Sequence, residues 1–76
     1  MIKVNAKKTG NKIKIIMWKR DKNAVEIAKA LGYADRSTVN RWLRGESVPS
    51  YENLVNLAIC LNCDVKDLVA CEVEDK

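Results

Sequence analysis

Apolar residues recur at helical spacing along most of the chain. Ile13, Ile16 and Met17 fall at i, i+3 and i+4 and predict a first helix over Asn11 to Arg20, with Ile15 and Trp18 on its other sides. Ahead of it, Ile2 and Val4 alternate with Lys3 and Asn5, which fits either a short strand or a loose arm ending at Gly10. A second helix, Ala24 to Leu31, offers Val25, Ile27, Ala28 and Leu31 to a core. Asn23 stands where an N-cap belongs, with Glu26 placed to complete a capping box, and Gly32 suits the helix end. After Tyr33-Ala34, Asp35 is the expected N-cap of a third helix, Arg36 to Arg44, closed by Gly45. Pro49 marks a turn. Ser50 caps a fourth helix, Tyr51 to Leu61, whose core stripe is Leu54, Leu57, Ala58 and Leu61. Asp64 opens a short fifth helix, Val65 to Val69, and the charged end, Glu72 to Lys76, is expected to fray. The pattern predicts an all-α, compact five-helix fold without a sheet.

A chain of 76 residues is one small domain, and a domain near this size buries only about 60 % of the surface its unfolded chain exposes. The hydrophobic fraction of 47 % is that of a globular protein, not a disordered one. No apolar run approaches the roughly 20 residues that cross a bilayer. Residues 1–11 lack the apolar stretch of a secretory signal. A cytoplasmic protein with no membrane partner is expected, and three cysteines, Cys60, Cys63 and Cys71, fit a reducing compartment. Histidine is absent, which removes the commonest general base and metal ligand and weighs against an enzyme.

Charge is divided unevenly. Residues 1–45 hold twelve Lys or Arg against three acids, whereas residues 46–76 hold Lys66 and Lys76 against seven acids. A basic half joined to an acidic half points one side toward a polyanion and leaves the other for a different partner; a solvated lysine-rich surface is the plainer account. Within the basic half, the third helix has an apolar inside, Val39, Trp42 and Leu43, and an outside of Arg36, Ser37, Asn40, Arg41 and Arg44. Arginine can donate two hydrogen bonds to guanine and asparagine can pair bidentately with adenine. No acid lies between Arg36 and Arg44 to repel phosphates. Lys19, Arg20, Lys22, Asn23 and the free N–H groups opening the second helix are candidates for phosphate contact.

These residues resemble the Cro and phage-repressor type of helix-turn-helix domain. The matching string is Ile13, Ile16, Ile27-Ala28, Leu31-Gly32, Ser37-Thr38-Val39, Arg41, Arg44-Gly45, Pro49-Ser50, Leu54, Leu57-Ala58, Leu61 and Leu68, over about three quarters of the chain. The resemblance implies a lambda-repressor-like fold whose second helix lies across the backbone of double-stranded DNA and whose third enters the major groove, commonly as a homodimer on a two-fold site. It places Arg36, Ser37, Asn40 and Arg41 at base contacts, and Thr38 and Arg44 at base or phosphate contacts. On this division residues 1–10 are a basic N-terminal arm, 11–70 the helix-turn-helix domain and 71–76 a charged C-terminal tail. The expected role is a small transcriptional regulator, a repressor, with no cofactor.

Three departures from the family stand out. Ala24 replaces the glutamine that usually opens the second helix and contacts the DNA backbone, so that contact is either lost or supplied by Asn23 or Lys22. The link after Gly32 is one residue longer than usual. Relatives pair an arginine late in the first helix with a glutamate near the end of the third; here both positions are apolar, Met17 and Leu43. Exchanging both partners of a buried ion pair for packed apolar groups is tolerated, whereas losing one costs about 3–5 kcal/mol. The exchange predicts that Met17 and Leu43 touch.

The remaining features have competing readings. Trp42 is expected in the core, and Trp18 fits either a core lid or an exposed partner patch. Cys60-x-x-Cys63 lacks the ligands of a structural zinc site and reads as a buried reduced thiol. Lys3, Lys7 and Lys8 are either a DNA-contacting arm or a disordered basic tail, with the tail preferred. The main alternative function is a protein-interaction module on the same fold, such as an antitoxin-like component binding a partner through its acidic C-terminal half. An enzyme finds no motif; the one acidic cluster, Glu72-Glu74-Asp75, lies in the expected tail.

Overall fold

The structure, a computed structural model, describes residues 2–73. In chain order the elements are β1 (Ile2–Val4), α1 (Ala6–Lys19), α2 (Ala24–Leu31), α3 (Ser37–Arg44), α4 (Tyr51–Leu61), a single 3-10 turn (Val65–Asp67) and β2 (Cys71–Val73). The fold is helical, as the pattern predicts, but it has four α-helices among the described residues. The expected fifth helix closes as one 3-10 turn, with Asp64 and Asp67 forming its capping box.

The two chain ends also differ from the expectation of a helical fold without a sheet. β1 and β2 pair antiparallel, Ile2 opposite Val73 and Val4 opposite Cys71. Residues 71–73 are therefore held in a ribbon rather than frayed, while 74–76 lie outside the described residues, and Glu74 and Asp75 of the acidic cluster with them. The first helix begins five residues before Asn11. The side chain of Asn5 accepts a hydrogen bond from the Lys8 N–H at 2.8 Å and so acts as N-cap, and Gly10 lies inside the helix instead of ending an arm.

The N-terminal half of α1 carries the C-terminal segment. Asn5 N–H donates to the Ala70 carbonyl at 2.8 Å, and buried Thr9 accepts from the Ala70 N–H at 3.0 Å. Lys12 Nζ donates to the carbonyls of Val69 and Lys66 at 3.0 and 3.3 Å. At the other end of α1, Arg20 donates to the carbonyls of Leu61 and Asn62, the last of α4 and its cap. Cations there complement the negative end of the helix dipole.

One apolar cluster joins all four helices: Ile13 and Met17, Ile27 and Ala28, Val39 and Trp42, and the α4 stripe from Leu54 to Leu61, closed by Leu68. Leu43 packs half-buried against the same cluster as Met17. Among the described residues no helix is long and apolar enough to cross a membrane.

The largest interface between helices is that of α1 with α3, and glycine makes it possible. A methyl group at Gly10 would collide with the Trp42 carbonyl oxygen and lie 3.0 Å from that of Leu43. Gly45, with φ of +79°, ends α3 in the left-handed region, and a methyl there would lie 2.8 Å from Cα and Cγ of Lys7. Replacing a helical glycine with alanine ordinarily gains about 1 kcal/mol. Gly10→Ala is expected instead to lose about 1–3 kcal/mol, because the methyl meets backbone that cannot rotate away. Gly45→Ala is expected to cost more than Gly32→Ala, since Gly32 shares the positive φ but has open space around it. Urea unfolding of the three variants checks the order; a stabilised Gly10→Ala would show that α1 and α3 separate freely.

Candidate nucleic-acid interface

α2 and α3 are set against each other by the link between them. Gly32 ends α2 at φ of +85°. Tyr33 then turns inward: its ring meets Trp42 edge-on at 6.1 Å, and its hydroxyl accepts a hydrogen bond from Asn53 of α4 at 2.9 Å. The extra residue of the link is thus accommodated by a packed side chain that ties the turn to α3 and α4 together.

α3 begins one residue later than expected. Arg36 occupies the N-cap position and makes no side-chain cap bond. Asp35 still serves the helix start, because its Oδ1 accepts the Ser37 N–H at 2.9 Å. Hydrogen bonding by Ser37, through its side chain and its backbone N–H, holds the Asp35 carboxyl below the usual carboxylate range. Val39 and Trp42 are buried, so the opposite side of α3 is presented to solvent. On it Arg36, Ser37, Arg41 and Arg44 are exposed, and Thr38 and Asn40 are half-buried.

Of these, Arg44 is already engaged. Its Nε donates to Glu46 at 2.7 Å and its Nη2 to the second carboxylate oxygen at 3.4 Å. Donation by Arg44 holds the Glu46 carboxyl below its ordinary value, and acceptance by Glu46 raises Arg44 further. The sequence reading missed this partner, although opposite charges two residues apart across the Gly45 turn were a usable signal.

Lys22 and Asn23 lie not on α3 but in the turn before α2, both exposed. The expected capping box is present: Asn23 Oδ1 accepts the Glu26 N–H at 2.9 Å, and Glu26 Oε1 accepts the Asn23 N–H at 3.0 Å. Two N–H groups at this helix start therefore already have partners, and Glu26 adds a negative charge beside them. This narrows the phosphate contacts expected there. Arg20, also expected to face phosphate, is instead committed to the end of α4.

Trp42 is buried at 3 % exposure, and Trp18 stands 81 % exposed, which decides between its two readings in favour of an open surface. Cys63 is half-buried against the core, and burial, followed by the charge of Asp67, raises its thiol above its ordinary value. It is a protonated thiol at neutral pH. Among the described residues no group of three or more His, Cys, Asp or Glu is placed to hold a metal ion.

Two helices joined by a tight turn, the second with its polar side outward, define a helix-turn-helix. The family profile of that name matches residues 13–68, and the chain belongs to this family, in its Cro and phage-repressor type. A solved structure described as "a putative DNA-binding protein from Bacteroides fragilis" is similar to the chain at 26 % identity and a TM-score of 0.73, covering 92 % of this chain and 100 % of the other. No curated protein matches it.

The Arg44–Glu46 pair competes with any polyanion for the same guanidinium. Glu46→Gln is expected to tighten binding to duplex DNA at low salt and to steepen its salt dependence by about one released counterion. Lowering the pH acts in the same direction. Glu46 is ionised and paired above its unfolded pKa, and the pairing is lost as pH falls through its lowered folded value. Equal salt slopes for the wild type and Glu46→Gln would show that Arg44 takes no part in binding.

Proposed function

We propose that the chain is a sequence-specific regulator of transcription, a repressor, that lays α3 in the major groove of double-stranded DNA. The observation that carries this reading is the solvent face of α3. Within eight residues and the one before them it offers three arginines, a serine, a threonine and an asparagine, on a helix fixed from behind by Val39 and Trp42. Arg36, Ser37, Asn40 and Arg41 are assigned to base edges. Thr38 and Arg44 are assigned to base edges or phosphates, and Lys22 with the Asn23 side-chain amide to phosphates. The similarity to the structure described as "a putative DNA-binding protein" supports the same reading. The protein acts without a cofactor and is not an enzyme on this reading, and its place is the cytoplasm. Two copies on a two-fold site would bind far more tightly than one through avidity.

The alternative, a protein-interaction module using the acidic half, is favoured by the outer side of α4, where Tyr51 and Ile59 are 76 % and 73 % exposed. Selection from a random pool of duplex DNA separates the two. The wild type is expected to enrich one motif, and Arg41→Ala to lose or relax it at the contacted position, where a good bidentate pair discriminates by about 1–3 kcal/mol. No enrichment at low or moderate salt would leave the protein-interaction reading in its place. Light scattering is expected to give a mass of two chains on DNA; a mass of one chain with and without DNA would count against the homodimer.

A further inference from the structure

Lys7 and Lys8, expected in a loose arm, belong to a helix, while Lys3 lies in β1. α1 carries Lys7, Lys8, Lys12, Lys14 and Lys19 and no acid. They do not share one role. Lys12 is tied to the carbonyls of Val69 and Lys66. Lys7 and Lys14, both exposed, lie a helical repeat of seven apart, with Gly10 between them on the turn that abuts the end of α3. Lys7 is fixed there directly, because its Cα and Cγ lie against Gly45, the cap of α3, next to Arg44.

We propose that Lys7 and Lys14 form a second phosphate-contacting edge, running along α1 beside the C-terminal end of α3, that grips the backbone of the same duplex. The inference rests on the reading of α3 as a groove-entering helix. Two features favour a nucleic-acid backbone as the occupant. Lys7 packs on the cap of α3 beside Arg44, and Lys14 lies two turns further along the same face of α1, so a duplex laid on α3 and reaching past its C-terminal end meets this edge. They are also point charges on flexible stems, suited to phosphates and not to base edges. Trp18, exposed one turn beyond Lys14 on α1, extends this edge with an aromatic surface. The edge supplies affinity without sequence information, and its rigid mounting fixes the register in which α3 enters the groove.

The test is a titration of a short mixed-sequence duplex between about 50 and 200 mM salt, using wild type, Lys7→Gln, Lys14→Gln, Lys7→Arg and, as a remote control, Lys66→Gln. Each glutamine variant is expected to lower the slope of log affinity against log salt by about one, and to weaken binding equally on any sequence. Lys7→Arg keeps the charge and is expected to keep the wild-type slope, which separates phosphate contact from a packing defect at Gly45. Lys66→Gln is expected to leave the slope unchanged. Wild-type slopes in both glutamine variants, with duplex still bound, would overturn the second edge and leave the α3 reading standing. Wild-type protein that binds no duplex at about 50 mM salt would overturn both.

Discussion

α1 crosses α3 with nothing but hydrogen between Gly10 and the carbonyl groups of Trp42 and Leu43. The rest of the molecule is arranged around that contact. α3 is only eight residues long, too short to be stable alone in water. It has no side-chain cap bond from its own N-cap residue, so its order comes from what it packs on. From behind, Val39 and Trp42 enter the core. At its start Asp35 holds the Ser37 N–H, beside it Tyr33 packs edge-on against Trp42, and at its end Gly45 lies on Lys7. A side chain at either glycine would hold the two helices apart and loosen the helix that carries the arginines.

A second constraint follows from size. A domain this small cannot rely on its core alone, and here polar side chains of α1 reach backbone carbonyls far along the chain. Thr9 meets Ala70, Lys12 meets Val69, and Arg20 meets Leu61. The β1–β2 ribbon completes this closure of the two ends. Part of the basic charge that looks like a polyanion site is therefore structural. Lys12 and Arg20 neutralise helix ends and loop carbonyls, which leaves fewer cations for a partner than the formal charge suggests.

Much of this was legible from local signals. The α2 capping box, both glycine helix ends, the α4 stripe and the buried faces of Val39 and Trp42 depend on residues within a turn of each other, and each was placed correctly. Several of the misses depend on partners distant in sequence. The alternation at Ile2 and Val4 fitted a strand or an arm, and it is a strand because Cys71 to Val73 pairs with it, a partner that no local pattern in the first segment identifies. Asn5 was read in an alternating run, although an Asx residue three before Lys8 was also a cap signal. Gly10 was taken as a terminator because glycine usually is one; its real role is visible only once α3 is alongside. The α3 face was legible as a set of residue types. Asp35 was read as serving the start of that helix, and it does so through the Ser37 N–H; the pairing of Glu46 with Arg44 was not read, because two charges near each other in sequence do not by themselves show which rotamers bring them together.

Those partners bear on how the proposed interface divides affinity from discrimination. The basic half of the chain has three acids, and two of them, Glu26 and Asp35, sit at the starts of α2 and α3, each bonded to a backbone N–H. Glu46 sits at the end of α3 on Arg44. Each carboxylate strengthens a helix end or fixes an arginine, and each repels a phosphate brought close to it. In the proposed interface, sequence-independent attraction would be weakened at the starts of α2 and α3 and at the end of α3. Arg36 and Arg41, to which no acid is hydrogen-bonded among the described residues, would then carry a larger share of the proposed contact, and they are the residue type best suited to guanine. A small domain that bound every duplex tightly would be dispersed over non-specific sites, since these far outnumber any one target. Acids bound into the scaffold beside the reading helix limit that loss while stabilising the fold, so the charges that look opposed to nucleic-acid binding are consistent with selective binding.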